Sequence, residues 1–249
     1  MINTTKNFVG GKTKQFINEW MKITNDRWIL QTLCGYSIEL EKQPTQLVIP
    51  QQFKFSDIET QKLHDEITRF ESCNIIEQIP DIKETGEFIS NIFYRPKKDG
   101  KIRVILNLSS FNEHMQNIHF KMETLHNAIS LVTKNCFFGS VDLSDAYYSV
   151  PIAEPDRKYF RFYFKGKKYQ FRVLVMGLTT APRVFTKILK PVFATLRKKG
   201  LLSTVYIDDS CLLGASFRKW EENIWSTMKL LDNLGLTIHP TKSVLVPTQ

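Results

Sequence analysis

Two aspartates stand side by side, Asp208-Asp209, between apolar runs at 201–207 and 211–213. Each run is long enough for a strand, so the acidic pair falls where a tight hairpin would turn. Carboxylates this close, against a hydrophobic sheet, repel each other and lose hydration. A bound divalent cation reverses that balance, because hard carboxylate oxygens suit Mg²⁺ or Mn²⁺. Taken alone, the dipeptide reads first as an ordinary solvated turn. A third carboxylate, Asp142, closes the apolar run 136–141, which reads as a short buried strand. If the two strands are neighbours, the three side chains form a cluster able to hold two metals about 4 Å apart, as in-line phosphoryl transfer requires. Asp142 by itself would just as well end a strand through an Asx-turn.

Cations form a second group. The stretch Lys97-Lys98-Asp99-Gly100-Lys101-Ile102-Arg103 concentrates positive charge on a turn. Such a loop can fold over a triphosphate or stand as a solvated hairpin tip; in the first case Arg103 offers bidentate contacts and Lys97 a mobile point charge. The alternation at 157–164 mixes cations with aromatics, either a nucleic-acid groove or the period-2 packing of an amphipathic strand.

Several of these segments, in this order, resemble the motifs of reverse transcriptases. VDLSDAYYSVPI at 141–152 resembles motif A, and MGLTTAPRVF at 176–185 resembles motif B. Tyr206-Ile207-Asp208-Asp209 resembles motif C, Gly235-Leu236-Thr237-Ile238 through Lys242 looks like motif D, and PKKDGKIR at 96–103 matches the basic fingers loop. The similarity runs from about Phe53 to the last residue and has the flavour of LTR-type retroelements. Residues 181–187 with Tyr147-Tyr148 lean toward tyrosine-recombinase (DIRS-like) elements, near the gypsy-type ones.

The resemblance implies an α+β right-hand polymerase, with an antiparallel palm sheet packed on helices and no thumb. Residues 53–117 and 150–180 would be fingers, 118–149 and 181–249 palm, and 1–52 an N-terminal extension and linker. The implied activity is RNA-directed DNA polymerisation: nucleotidyl transfer from a dNTP to a primer 3′-hydroxyl on an RNA or DNA template. Asp142, Asp208 and Asp209, with the Leu143 carbonyl, would hold Mg²⁺, with Mn²⁺ as substitute. Lys97 and Arg103 would meet the triphosphate, and Asp145, Ala146, Met176 and Gly177 would line the nucleotide site. Tyr147 is placed as steric gate against a ribose 2′-hydroxyl. Arg183, Lys187 and Tyr206 would touch template or primer, and Lys242 would protonate the leaving group; an exposed tail lysine is the plain alternative. Departures are Met176, where many viral members carry Gln, and Asn107 to Asn112, where relatives show Asp and Arg. The chain stops before the primer-grip turn, so thumb, connection and RNase H regions are expected elsewhere in a longer polyprotein. A truncated, non-catalytic nucleic-acid-binding remnant and a different two-metal nuclease are the rival readings.

These residues need a scaffold. The 249 residues allow one or two domains with a substantial core, and 42% hydrophobic with 24% charged residues is ordinary for a globular chain. A net charge of +9 points to a polyanionic partner. No apolar run approaches the roughly 20 residues of a membrane span, and residues 1–6 lack a signal-peptide core, so an intracellular location is expected. Cys34, Cys73, Cys136 and Cys211 form no metal or redox motif, and three lie in apolar surroundings, which predicts buried free thiols. Ser56-Asp57-Ile58-Glu59 reads as a capping box opening a helix to about Phe70. Helices are also expected at 16–23, 122–132, 182–199 with a kink at Pro191, and 217–234, besides a short element at 28–33. Hairpins are expected from 88–94 with 101–108, and from 159–164 with 168–174.

Overall fold

The computed structural model describes residues 8–97, 100–116 and 118–248. Residues 1–6 and the tip Lys98-Asp99 of the cationic turn, both singled out above, lie outside the described residues. The chain starts with a 3₁₀ turn, Lys12–Phe16, continuing into α1 (Ile17–Met21) and α2 (Arg27–Cys34). The Asp26 side chain caps α2 by accepting from the backbone N–H groups of Trp28 and Ile29. In α3 (Asp57–Ser72) the capping box is present, Ser56 and Glu59 each taking the other's backbone N–H. Asn74, at φ 56°, turns the chain into β1 (Ile76–Ile79). Next come β2 (Ile92–Pro96), β3 (Ile102–Leu106), α4 (Ser109–Asn112), α5 (Leu125–Ser130) and β4 (Phe137–Asp142). Two 3₁₀ turns, Ala146–Ser149 and Glu154–Tyr159, lead to β5 (Arg161–Phe164) and β6 (Lys167–Phe171). The chain then runs through α6 (Ala181–Arg197), β7 (Leu202–Tyr206), β8 (Asp209–Gly214), α7 (Phe217–Asn233) and β9 (Val244–Thr248).

All strand pairs are antiparallel and build three sheets: β1-β6-β5, the hairpin β2-β3, and β7-β8-β4-β9. Helix and strand mix without βαβ alternation, as the α+β expectation requires. β4 lies inside the four-stranded sheet with α7 on one face. That approach is close: a Cβ on Gly214 would lie 2.3 Å from the Trp220 nitrogen. α6 buries one face through Val184, Phe185, Ile188, Leu189, Val192 and Phe193, with Pro191 inside the helix as expected.

Several expectations are corrected. The first hairpin is shorter than the apolar runs suggested, because at 88–90 the chain turns its backbone hydrogen bonds to Gln46, Lys158 and Arg161, and only Asn91 still accepts from Asn107 N–H across the hairpin. The helix at 122–132 shrinks to α5; the cation–aromatic alternation at 157–164, by contrast, resolves to packing, one of the two readings given above. Tyr159, Phe160, Phe162 and Phe164 are buried, and Arg161 is locked between Glu84 and Glu87. Of the four free cysteines only Cys136 is buried; Cys34 is exposed. The N-terminal segment is also more than an extension. Trp20 is wholly buried and its Nε1 donates to the Leu234 carbonyl at 3.0 Å, while buried Thr13 donates to the Ser149 carbonyl at 2.9 Å.

Candidate active site

Strand register brings the strand-end aspartates together. Asp142 on β4 is directly opposite Asp209 on β8, and Asp208 occupies the two-residue turn joining β7 to β8. Its neighbour Ile207 has φ 57°, a costly conformation for a β-branched residue and one that clusters at functional sites. The segment after α7 is stitched along the end of β4. Ser144 N–H donates to the Thr237 carbonyl and His239 N–H to the Asp142 carbonyl, each at 2.8 Å. Leu143 bridges Ile238, and Asp142 N–H donates to Ser243 Oγ at 3.1 Å. These bonds carry Lys242 to the aspartates, its Nζ 3.8 Å from Asp142 Oδ1.

Burial raises the Asp142 carboxyl above its usual range; Lys242 and His239 oppose the rise, and Asp208 and Asp209 add to it. Asp208 is raised as well, first by burial and then by Asp209, against Lys242 and Arg103. Asp142 Oδ1 is buried and accepts no hydrogen bond from the described residues. An orphaned carboxylate oxygen beside two further carboxylates fits a hard divalent cation in donor chemistry. The side chains are nonetheless not preassembled: among the described residues no three His, Cys, Asp or Glu groups stand at metal-ligating spacing. The backbone sets the strand ends together, supplying the neighbouring strands that the cluster was expected to need.

A cleft of about 530 Å³ opens beside these residues. Of the predicted site it takes in Lys97, Arg103, Leu143, Asp145, Ala146, Met176, Asp208 and Lys242. The cationic hairpin β2-β3 and the ends of β4 and β7 therefore face one space. Local sequence reading missed the third wall, the α3 residues Lys62, Glu66 and Arg69, and also His239. Asp145, in the left-handed region at φ 48°, is ion-paired to Arg69 at 2.9 Å.

Tyr147 is outside the lining, half-buried and edge-on to Phe185 at 5.5 Å between centroids. Its hydroxyl is pushed up to about 12 by burial and then by the nearby Asp208 carboxylate. Gly177, at φ 100°, admits the Leu106 carbonyl where a Cβ would meet it at 2.8 Å. Asn112 braces this turn, donating to the Gly177 carbonyl and accepting from Thr179 N–H. Tyr206 is 53% exposed at the hairpin end. Arg183 is ion-paired with Glu39, and Lys187 Nζ is 3.9 Å from the Trp28 ring centroid. Both cations are engaged by the docked N-terminal segment, so neither is presented freely to a template phosphate.

Antiparallel sheets packed on helices place the molecule among α+β proteins. A family model described as reverse transcriptase (RNA-dependent DNA polymerase) matches residues 95–249, more than half of the chain, and the chain belongs to that family. Among curated proteins it is similar to Polyprotein P3 of Commelina yellow mottle virus, 26% identical over 161 residues, which are 65% of this chain and 8% of that protein. It is likewise 26% identical over 155 residues to the Retrovirus-related Pol polyprotein from transposon gypsy of Drosophila melanogaster, covering 62% of this chain and 14% of that one. The chain thus spans a small fraction of these relatives' length. Among solved structures it resembles the foamy viral protease-reverse transcriptase in complex with dsDNA, with TM-score 0.72 and 15% identity over 97% of this chain and 53% of that one. A native crystal structure of the prototype foamy virus protease-reverse transcriptase gives TM-score 0.68 and 15% identity, covering 84% and 27%. Among the described residues no helix is long and apolar enough to cross a membrane.

Proposed function

We propose that this chain is the RNA-directed DNA polymerase domain of a retroelement polyprotein, extending a primer on an RNA or DNA template with dNTPs. The observation that carries this reading is the opening of Asp208, in the turn beside the paired strand ends Asp142 and Asp209, and of the cationic β2-β3 hairpin onto one cleft. Residues 53–117 and 150–180 act as fingers and 118–149 with 181–249 as palm; the segment before them is a docked brace. Asp142, Asp208 and Asp209, with the Leu143 carbonyl, are the groups that would hold Mg²⁺, or Mn²⁺ in its place, which when bound compensates phosphate charge and acidifies the attacking hydroxyl. Lys97 and Arg103 hold the triphosphate against the cleft wall, Arg103 through its planar fork. Met176 and the Gly177 turn, held by Asn112, form the floor under the base, and Tyr147 bounds the sugar from the Phe185 side. Lys242 stands where an ammonium can give a proton to the departing pyrophosphate. Template sequence is read by base pairing, and the phosphate contacts make affinity fall with salt.

Primer extension on poly(rA)/oligo(dT) with Mg²⁺ or Mn²⁺, offering dNTPs against rNTPs, tests this reading. Asp208→Asn is expected to abolish incorporation and leave duplex binding largely intact. Undiminished incorporation in that variant would refute the role. The alternative, a nucleic-acid-binding remnant, predicts binding without extension by the unaltered chain.

A further inference from the structure

The cleft proposed to take a nucleoside triphosphate also presents carboxylates besides Asp208, namely Asp65, Glu66 and Asp145, of which Asp145 belongs to the turn after β4. A carboxylate in a triphosphate pocket opposes binding through like-charge repulsion unless something cancels it. Asp145 itself suits its backbone, since an Asp tolerates the left-handed region that this turn after β4 demands. The residue that answers its charge comes from α3, far away in sequence. Arg69 Nη1 donates to Asp145 Oδ2 at 2.9 Å, while its Nε and Nη2 form a two-pronged contact with Glu66 at 3.0 and 2.8 Å. The guanidinium is only 35% exposed, Asp145 22% and Glu66 16%, so the trio is screened from bulk water on most sides. Its remaining face stacks by Phe70, whose ring centroid is 5.0 Å from the guanidinium carbon. Every hydrogen-bonding edge named here is directed at a carboxylate, which leaves Arg69 poorly placed to reach out as a mobile phosphate ligand.

We infer that Arg69 is a positioning residue for the incoming nucleotide: it draws the Asp145 side chain toward α3 and offsets one of the two carboxylate charges it holds there, so that the anionic triphosphate meets the cationic hairpin against less opposing charge. This inference rests on the polymerase reading for its substrate. It makes Asp145 the intermediary, so neutralising Asp145 removes the need for Arg69. A residue that gripped phosphate directly would have no such dependence.

The test uses the full chain with annealed primer-template and measures dTTP affinity by calorimetry alongside dTTP KM and kcat in primer extension. Arg69→Ala is expected to weaken dTTP binding roughly tenfold, with kcat changed by less than about threefold. Arg69→Gln, which keeps length and hydrogen bonding without charge, is expected to weaken binding similarly and guards against a folding defect in the alanine variant. Adding Asp145→Asn to either variant is expected to return dTTP affinity to within about threefold of the unaltered protein. Arg69 variants with unchanged dTTP affinity overturn the inference, as does a weakening that Asp145→Asn fails to reverse. If the unaltered chain binds dTTP but extends no primer, the polymerase reading fails and the affinity pattern still decides the role of Arg69. If it binds no dTTP, both fall.

Discussion

Holding Asp142 and Asp208 ionised at one sheet end costs the folded state stability. Both carboxyls are raised from an ordinary value of 3.8 by burial and by neighbouring aspartates, Asp142 by Asp208 and Asp209, and Asp208 by Asp209. The unfolded chain releases these protons first, so stability falls as pH climbs from about the ordinary value through the raised folded one, and the penalty is complete above it. Asp208→Asn, besides ending incorporation, is therefore expected to raise the melting temperature at pH 7.5 without divalent cation, by roughly 2–4 °C. The gain should shrink to nothing near pH 4, and millimolar Mg²⁺ should stabilise the unaltered chain more than the variant. A melting series over pH and Mg²⁺ checks all three; a variant less stable at neutral pH would contradict the repulsion. The paired aspartates were legible because acid inside apolar runs is a conspicuous choice. Arg69 was not: with Glu66 three residues earlier it reads as one more solvated helix pair, and only the fold brings Asp145 to it.

At the scale of elements, strong local signals survived and weak ones did not. The capping box opens α3, and both long C-terminal helices begin and end within about two residues of the expected positions. β1 and β9 went unseen. β1 is four residues long and leaves α3 through Asn74 without a Gly or Pro signal, while β9 holds Pro247 and exposes Val244, Leu245 and Val246. Pro is admissible there because β9 is the end strand of its sheet. The motif B turn depends on backbone shape more than on side-chain chemistry. Gly177→Ala forces a Cβ to 2.8 Å from the Leu106 carbonyl at φ 100° and is expected to cost about 1–3 kcal/mol. Denaturant unfolding measures that loss. Asn112→Ala should loosen the same turn at smaller cost, since two hydrogen bonds vanish without a clash.

The whole molecule is organised by contacts that span the chain, and these were the least legible. Thr13 to Ser149 bridges 136 positions and Trp20 to Leu234 bridges 214, so composition near the N-terminus suggested only an amphipathic helix and a linker. Trp20→Ala is expected to destabilise the whole fold by about 3–5 kcal/mol, and a chain starting after residue 41 should unfold at markedly lower temperature. A truncated chain as stable as the intact one would return the segment to the status of an appendage. The docked segment has one more consequence. Trp28 has the Lys187 ammonium 3.9 Å from its ring centroid and the Arg183 guanidinium 5.7 Å away. Lifting the segment would strip both cations from that indole and shift its emission, so intrinsic fluorescence offers a label-free gauge of whether the brace stays seated when primer-template is added.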